Sequence, residues 1–161
     1  MNTVLNWKKG ALSCRYKLME NGNCIGFLKG RSFGQSAEGE VFGNRYGFNT
    51  YGIFRKETEI LDGKDGAVIG KIKFDCWMPK AQIKLGDKTY FWKFKNIWET
   101  RWEIYDETAT QISFCGHSMK GKAVSADTEE VLNLAGLFIS NFYWEMSGVF
   151  IALIAPMTFM I

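Results

Sequence analysis

Between Leu12 and about Val124 the chain alternates short runs of period-two hydrophobicity with turn signals, and after Ser125 this gives way to a nearly continuous apolar run. Period-two alternation marks strands with one buried face. Arg15 to Glu20 and Cys24 to Leu28 flank Asn21-Gly22-Asn23. Asn-Gly between two such runs is a strong hairpin signal, because both central positions tolerate positive φ. Lys29 to Glu40, containing glycine and serine, reads as a loop, and Val41 to Phe48 as a run with Phe42, Tyr46 and Phe48 on one face. Tyr51 to Leu61 reads as a longer strand ending in Asp62-Gly63-Lys64-Asp65-Gly66, whose two glycines suit left-handed backbone. Ala67 to Asp75 sets Val68, Gly70, Ile72 and Phe74 on one face against Lys71, Lys73 and Asp75, with Gly70 leaving room for close packing. Ala81 to Leu85, a Gly86-Asp87 turn, and Thr89 to Lys95 follow, the last with Tyr90, Trp92 and Phe94 on one side. Arg101 to Asp106 aligns Trp102, Ile104 and Asp106, Gln111 to His117 returns, and Met119 to Val124 adds a last strand. The sum is about nine to twelve strands at regular short spacing, the pattern of an antiparallel sandwich or barrel.

The C-terminal run needs shelter. Asp127-Thr128-Glu129-Glu130 resembles a helix start, with Asp127 as cap, Glu130 three residues on as in a capping box, and acids at the positive end of the helix dipole. From Val131 to Ile161 the only charge is Glu145. A helix with no polar face must be wrapped in protein or in lipid. As one helix this run would extend about 46 Å, too long for the inside of a small barrel. Two helical pieces are therefore expected, interrupted between Asn141 and Gly148, with Pro156 fraying or kinking the second. Val131 to Phe142 reads as a buried core helix. Met146 to Ile161 falls short of the roughly 20 residues that cross a bilayer, yet follows Tyr143-Trp144, where an interfacial aromatic belt would sit. It either folds inward or associates with a membrane.

Composition narrows the class. A chain of 161 residues suits one domain, able to bury roughly 70% of its unfolded surface without disulfide or metal. The net charge of +3 comes from interspersed acids and bases, which speaks against a nucleic-acid partner and leaves weak attraction to an anionic membrane. Cys14, Cys24, Cys76 and Cys115 form no Cys-x-x-Cys pair, and His117 is the one histidine, so no zinc set is expected. They read as reduced, partly buried thiols. The N-terminal MNTVLNWKKG lacks the apolar core of a secretory signal, and a cytoplasmic location follows as the expectation.

Candidate chemistry is sparse. The tryptophans and phenylalanines mostly occupy alternating strand positions, which core packing explains better than base stacking. Arg55-Lys56, Lys71/Lys73 and Lys93/Lys95 are basic pairs on outward faces. They serve either cross-strand pairing with Glu57, Glu59, Glu99 or Glu103, or a phosphate or anionic-lipid site. Glu57/Glu59 and Asp106/Glu107 have nothing beyond proximity to mark them as acid–base pairs. Cys115 and His117 share a strand face, and a thiol–imidazole dyad is the one enzymatic option. No phosphate loop or dinucleotide fingerprint accompanies the glycines between Gly26 and Gly47. No catalytic residue, cofactor or metal is expected.

Two stretches carry a family resemblance. Asp65-Gly66-Ala67-Val68-Ile69-Gly70-Lys71-Ile72 looks like the Gly-x-x-x-Gly-x-Ile strand of the tubby-like superfamily, which includes LURP-one-related and phospholipid-scramblase-like domains. Trp102-Glu103-Ile104-Tyr105-Asp106-Glu107 is similar to their apolar-x-apolar-x-Asp strand ending. The order of elements, strands followed by one hydrophobic helix, resembles theirs over most of the chain. The resemblance implies a closed or nearly closed barrel around Val131 to Phe142, with non-enzymatic roles such as phosphoinositide or membrane-surface binding. The apolar piece beyond Phe142 departs from that pattern. The leading expectation is thus a binding or adaptor module at an anionic membrane surface. Alternatives are a barrel holding a small apolar ligand and a tail-anchored protein with a cytosolic β domain.

Overall fold

Inward-facing side chains at every second position close twelve antiparallel strands into a barrel, in the computed structural model that describes residues 2–10, 12–30, 36–52 and 57–158, with helical side chains described as far as residue 148. The strands are β1 (Thr3–Lys9), β2 (Arg15–Glu20), β3 (Asn23–Gly30), β4 (Ser36–Val41), β5 (Asn44–Tyr51) and β6 (Glu57–Asp62), then β7 (Val68–Phe74), β8 (Lys80–Leu85), β9 (Lys88–Phe94), β10 (Arg101–Tyr105), β11 (Thr110–Gly116) and β12 (Lys120–Ser125). Each pairs with its neighbour in sequence, and β1 closes the ring on β12 through register pairs from Thr3↔Ser125 to Lys8↔Lys120. Closure removes every free sheet edge.

A single helix, α1 (Val131–Thr158), fills the barrel and leaves it. From Val131 to Ser140 every residue is buried, as are Phe142 and Tyr143. The contacts run round the wall: a Cβ on Gly39 of β4 would lie 3.0 Å from Leu134, Phe48 of β5 stacks on Phe138 at 4.9 Å, and Phe74 of β7 stacks on Phe142 at 4.1 Å. Trp92 of β9 donates to the Gly136 carbonyl at 3.3 Å, and Phe114 of β11 abuts Gly136. An element touched from so many strands lies in the lumen, which explains its all-round apolar sequence.

The helix defines two rims. At the proximal rim, Glu130 accepts from the Asn44 amide and, at 2.9 Å, from the Tyr46 hydroxyl. At the distal rim the Tyr143 hydroxyl donates to the Asp75 and Lys80 carbonyls. There too Trp144 donates to Glu99 O at 3.1 Å, and Tyr16 donates to Asn141 Oδ1 at 3.1 Å. Beyond that rim Glu145, Met146 and Gly148 are exposed.

Several expectations need correction. The helix is not interrupted between Asn141 and Gly148. It runs unbroken for 28 residues, through Pro156, because the surplus length projects outward instead of folding back. The capping box does not form: α1 begins after Glu130, whose carboxylate ties it to β5. Ser36–Val41 is a strand and not a loop; its inward positions are small because Leu134 occupies the space. β1 carried no strand expectation and is the strand that closes the barrel. Phe42 is exposed in a turn with φ 50°, beside Gly43 at 83°. Tyr51 ends β5 and faces Glu57 of β6, so the long Tyr51–Leu61 strand is a reversal. Arg55 and Lys56 lie outside the described residues. Gly66 is left-handed at φ 72°, whereas Gly63 is needed because a Cβ would come within 2.8 Å of the Arg45 carbonyl. Val68 is half exposed, since an irregularity opposite Ile60/Leu61 shifts it out of phase. All four cysteines are free and exposed, not partly buried.

Candidate functional site

The basic pairs singled out from sequence are paired off by the fold. Lys71 and Lys73 stand opposite Glu59 and Glu57 across the β6–β7 ladder, although Lys71 has Lys84 on its other side. Lys93 and Lys95 both approach Glu103, each at 3.7 Å, and Thr110 donates to the same carboxylate at 3.0 Å. Glu103 is buried on the outer wall beneath these side chains. The four described lysines are thus brought near acids, not near one another as an uncompensated patch.

A different patch appears where the barrel closes. Lys17 of β2 faces Lys8 of β1, and Lys8 faces Lys120 of β12, so three exposed lysines form one row across adjacent strands. Residues directly opposite on one face have Cβ atoms about 5 Å apart, and like charges there are unfavourable. Lys122 lies one step along β12, opposite Asn6 and Cys115. Arg15 flanks the row with its guanidinium 4.2 Å from the Phe27 ring. Two shallow grooves of about 930 and 600 Å³ run over this wall, and no carboxylate lines either. Among the described residues, none of these cations is within ion-pair distance of an acid.

Sequence reasoning missed this patch because Lys8 and Lys120 are more than a hundred positions apart and the pairing of β1 with β12 is the last link of the ring. The available signal was Lys120-x-Lys122, which has the same spacing as Lys71-x-Lys73.

The floor of the larger groove is backbone. Gly116 and Gly121 pair across the β11–β12 hairpin and the Trp7 indole packs beneath both, a Cβ on Gly116 falling 3.0 Å from Trp7 Cζ2. Trp7 Nε1 donates to His117 O at 3.1 Å. Cys115 and His117 both line this groove, but His117 Nδ1 accepts the Met119 backbone N–H at 3.2 Å, which ties the ring to the turn.

The most perturbed groups hold the helix. Burial raises the Tyr16 hydroxyl well above the usual phenol range, with Glu145 adding to it. Burial does the same to Tyr143. Tyr46 is raised by burial and then by its bond to Glu130. All three stay protonated and donate, two at the distal rim and one at the proximal. Asp75 is held below the usual carboxylate range chiefly by the backbone N–H groups of Trp77 and Met78. Asp106 is lowered to about 2, first by the Thr108 hydroxyl and then by the backbone of Ala109 and Thr108. Among the described residues, no cluster of three His, Cys, Asp or Glu side chains could hold a metal ion, and no helix is long and apolar enough to cross a membrane.

No family model matches the chain, and no curated protein matches it by sequence. A solved X-ray structure of an Arabidopsis thaliana protein matches in fold with a TM-score of 0.60 and 13% identity, covering 87% of this chain and 90% of that one. At that identity the likeness concerns architecture alone, and the same barrel-and-helix arrangement is thereby found in a second protein.

Proposed function

We propose that the chain is a non-enzymatic, tubby-like module that binds an anionic membrane surface through the outer wall of β12, β1 and β2. The observation that carries this reading is the Lys17–Lys8–Lys120 row. Three cations in register with no interleaved acid disfavour the free fold, and an anionic surface relieves that repulsion. The barrel layout around an apolar helix agrees with what the sequence resemblance implies. The alternative of a small ligand held inside the barrel finds less support, because α1 fills the lumen with Leu132, Leu134, Phe138 and Ile139.

The test is sedimentation with vesicles of phosphatidylcholine, alone or with phosphatidylserine or a phosphoinositide. Each exposed cation near such a surface contributes about 1 kcal/mol. Replacing Lys8, Lys17 and Lys120 by Gln therefore lowers partitioning by roughly two orders of magnitude at low salt. Salt weakens the unmodified chain in the same direction. The reading fails if the triple variant binds as well as the parent, or if no anionic vesicle retains the parent at any salt concentration.

A further inference from the structure

The most exposed large apolar side chains gather at one end of the barrel, while Val4, Phe42 and Val68, each half exposed or less, lie toward the other. Leu12 lies in the β1–β2 connection, Trp77 in β7–β8, Ile97 and Trp98 in β9–β10, and Met119 in β11–β12, all at the distal rim where α1 emerges. Their exposure is nearly complete in four cases: Leu12 is fully accessible, Trp77 96%, Ile97 88% and Trp98 77%. Met146, on the emerging helix, is exposed in their midst. We propose that this rim inserts into one leaflet of an anionic bilayer, with the α1 extension as the central anchor and the Trp-bearing loop tips around it.

Four observations favour a bilayer as occupant. The first is charge order along the barrel axis. Lys8, Arg15, Lys17, Lys80, Lys95 and Lys120 lie near the distal rim behind the apolar tips and outnumber the acids there, Asp75, Glu99 and Glu145. The proximal turns and helix start carry Asp62, Asp65, Asp87, Asp106, Glu107 and Glu129 against the fewer cations Arg45, Lys64 and Lys88, of which Arg45 pairs with Glu40 and Lys88 with Glu129. A second copy of this chain would bring the same positive rim against itself, whereas anionic headgroups complement it. The second is chemistry: tryptophan at the ends of an apolar element is the side chain favoured at the headgroup level. The third is length. Residues 146–158 continue α1 for about 20 Å, close to the depth of one leaflet with its headgroups, half of about 40–45 Å. That is too short to span, in keeping with the absence of a membrane-crossing helix among the described residues. The sequence of this extension, Met146 to Thr158, contains no charged residue.

The fourth is that the tips are held as one surface. Asp75 Oδ1 accepts the N–H groups of Trp77 and Met78 at 2.8 and 3.1 Å, fixing the β7–β8 loop so that Trp77 faces outward. Asn96 accepts from the Thr100 and Arg101 N–H groups, each at 3.1 Å, and so shapes the β9–β10 loop. Both loops are tied to α1, the first through Tyr143 and the second through Trp144 and, at 3.3 Å, Ser147 to Glu99. In these two loops little ordering remains for the membrane to impose.

The inference rests on the membrane reading above, and its test separates the two. Cys76 lies in the β7–β8 loop at the distal rim and Cys24 near the proximal rim, both free and exposed. Full-length chains keeping only Cys76 or only Cys24, with the other cysteines replaced by serine, are labelled with an environment-sensitive fluorophore. They are then mixed with phosphatidylcholine–phosphatidylserine vesicles. The Cys76 label blue-shifts and is quenched by brominated acyl chains, while the Cys24 label is unchanged. Trp77→Ser with Trp98→Ser weakens partitioning roughly tenfold or more, and most of that loss persists in high salt. If the double variant melts early, Ile97→Ser alone gives the same direction. Vesicle binding with a silent Cys76 label overturns insertion and leaves surface binding standing. Loss of all vesicle binding overturns both. A concentration-dependent dimer that shields Cys76 without lipid identifies a second copy as the occupant and also overturns the proposal.

Discussion

Gly136 tests whether α1 threads the barrel, because position and propensity there predict opposite signs. In an exposed helix Gly→Ala stabilises by about 1 kcal/mol. At Gly136 a Cβ would lie 2.7 Å from Phe114 Cε2 and closer still to its Cζ. The Phe114 ring cannot step aside: it is buried, stacked on Trp102 at 5.4 Å with an interplanar angle of 8°, and flanked by Trp7 at 6.3 Å. Overpacking of this kind costs about 3 kcal/mol, at the upper end of the usual range. Subtracting the propensity gain leaves Gly136→Ala less stable by about 2 kcal/mol, a fall in Tm of roughly 4–8 °C for a chain of this size. Gly148 supplies the control. It lies on the same helix outside the barrel, with nothing within 4 Å of its would-be Cβ, so Gly148→Ala raises Tm by a few degrees. Adding Phe114→Leu to Gly136→Ala should recover part of the loss, a coupling expected only of residues in contact. Thermal and urea unfolding followed by circular dichroism measure all four. A Gly136→Ala chain as stable as Gly148→Ala would mean that the helix is not surrounded.

Two further predictions address the surface. Lys8→Glu places an acid between Lys17 and Lys120, converting two like-charge cross-strand neighbours into attractive ones. At these exposed positions the gain is roughly 0.5–1 kcal/mol at low salt and shrinks as salt is added. The same variant should bind anionic vesicles worse, so a parallel loss of stability in low-salt melts would sink the argument. Asp106, accepting from Thr108, Ala109 and Gln111, titrates at about 2 in the fold against 3.8 in the open chain. Its folded value is the lower one, so its contribution is complete above about pH 4 and is lost as pH falls toward 2. Asp106→Asn should remove that part of the acid-limb slope, and a carboxyl titration by NMR that finds Asp106 near 4 would contradict it.

Which elements could be read in advance follows from where their information lies. Lys88–Phe94 and Val68–Phe74 were readable because buried and exposed positions alternate over several large side chains, and Gly70 betrayed a close approach that the structure places against Leu85. Asn21-Gly22 was readable because its left-handed backbone is a local demand, met at φ 50° and 81°. Ser36–Val41 was not, because its small inward residues make sense only with Leu134 in place. The helix cap misled for a similar reason: Glu130 answers to Asn44 and Tyr46, some 85 residues away, and not to its own backbone. The basic wall failed on the same ground, since each lysine alone is an ordinary exposed strand position. Its character exists only in the register of β2, β1 and β12. The exposed Trp77 and Trp98 were lost among tryptophans correctly assigned to the core, of which Trp7, Trp92 and Trp102 are fully buried.

The buried and projecting parts of α1 answer to one physical requirement met by two environments. From Val131 to Tyr143 the apolar surface is covered by the barrel, and the polar groups at each end are satisfied by Tyr46, Tyr16 and backbone carbonyls. Past Trp144 the wall ends but the apolar sequence does not. Since the helix is clamped at both rims, the extension cannot withdraw into a lumen already filled by its own N-terminal half. On the proposal above, its cover comes from outside the barrel, at the rim where cations and tryptophans are gathered. A bilayer supplies apolar cover and anionic headgroups at that one surface, whereas a second barrel of like charge supplies only the first.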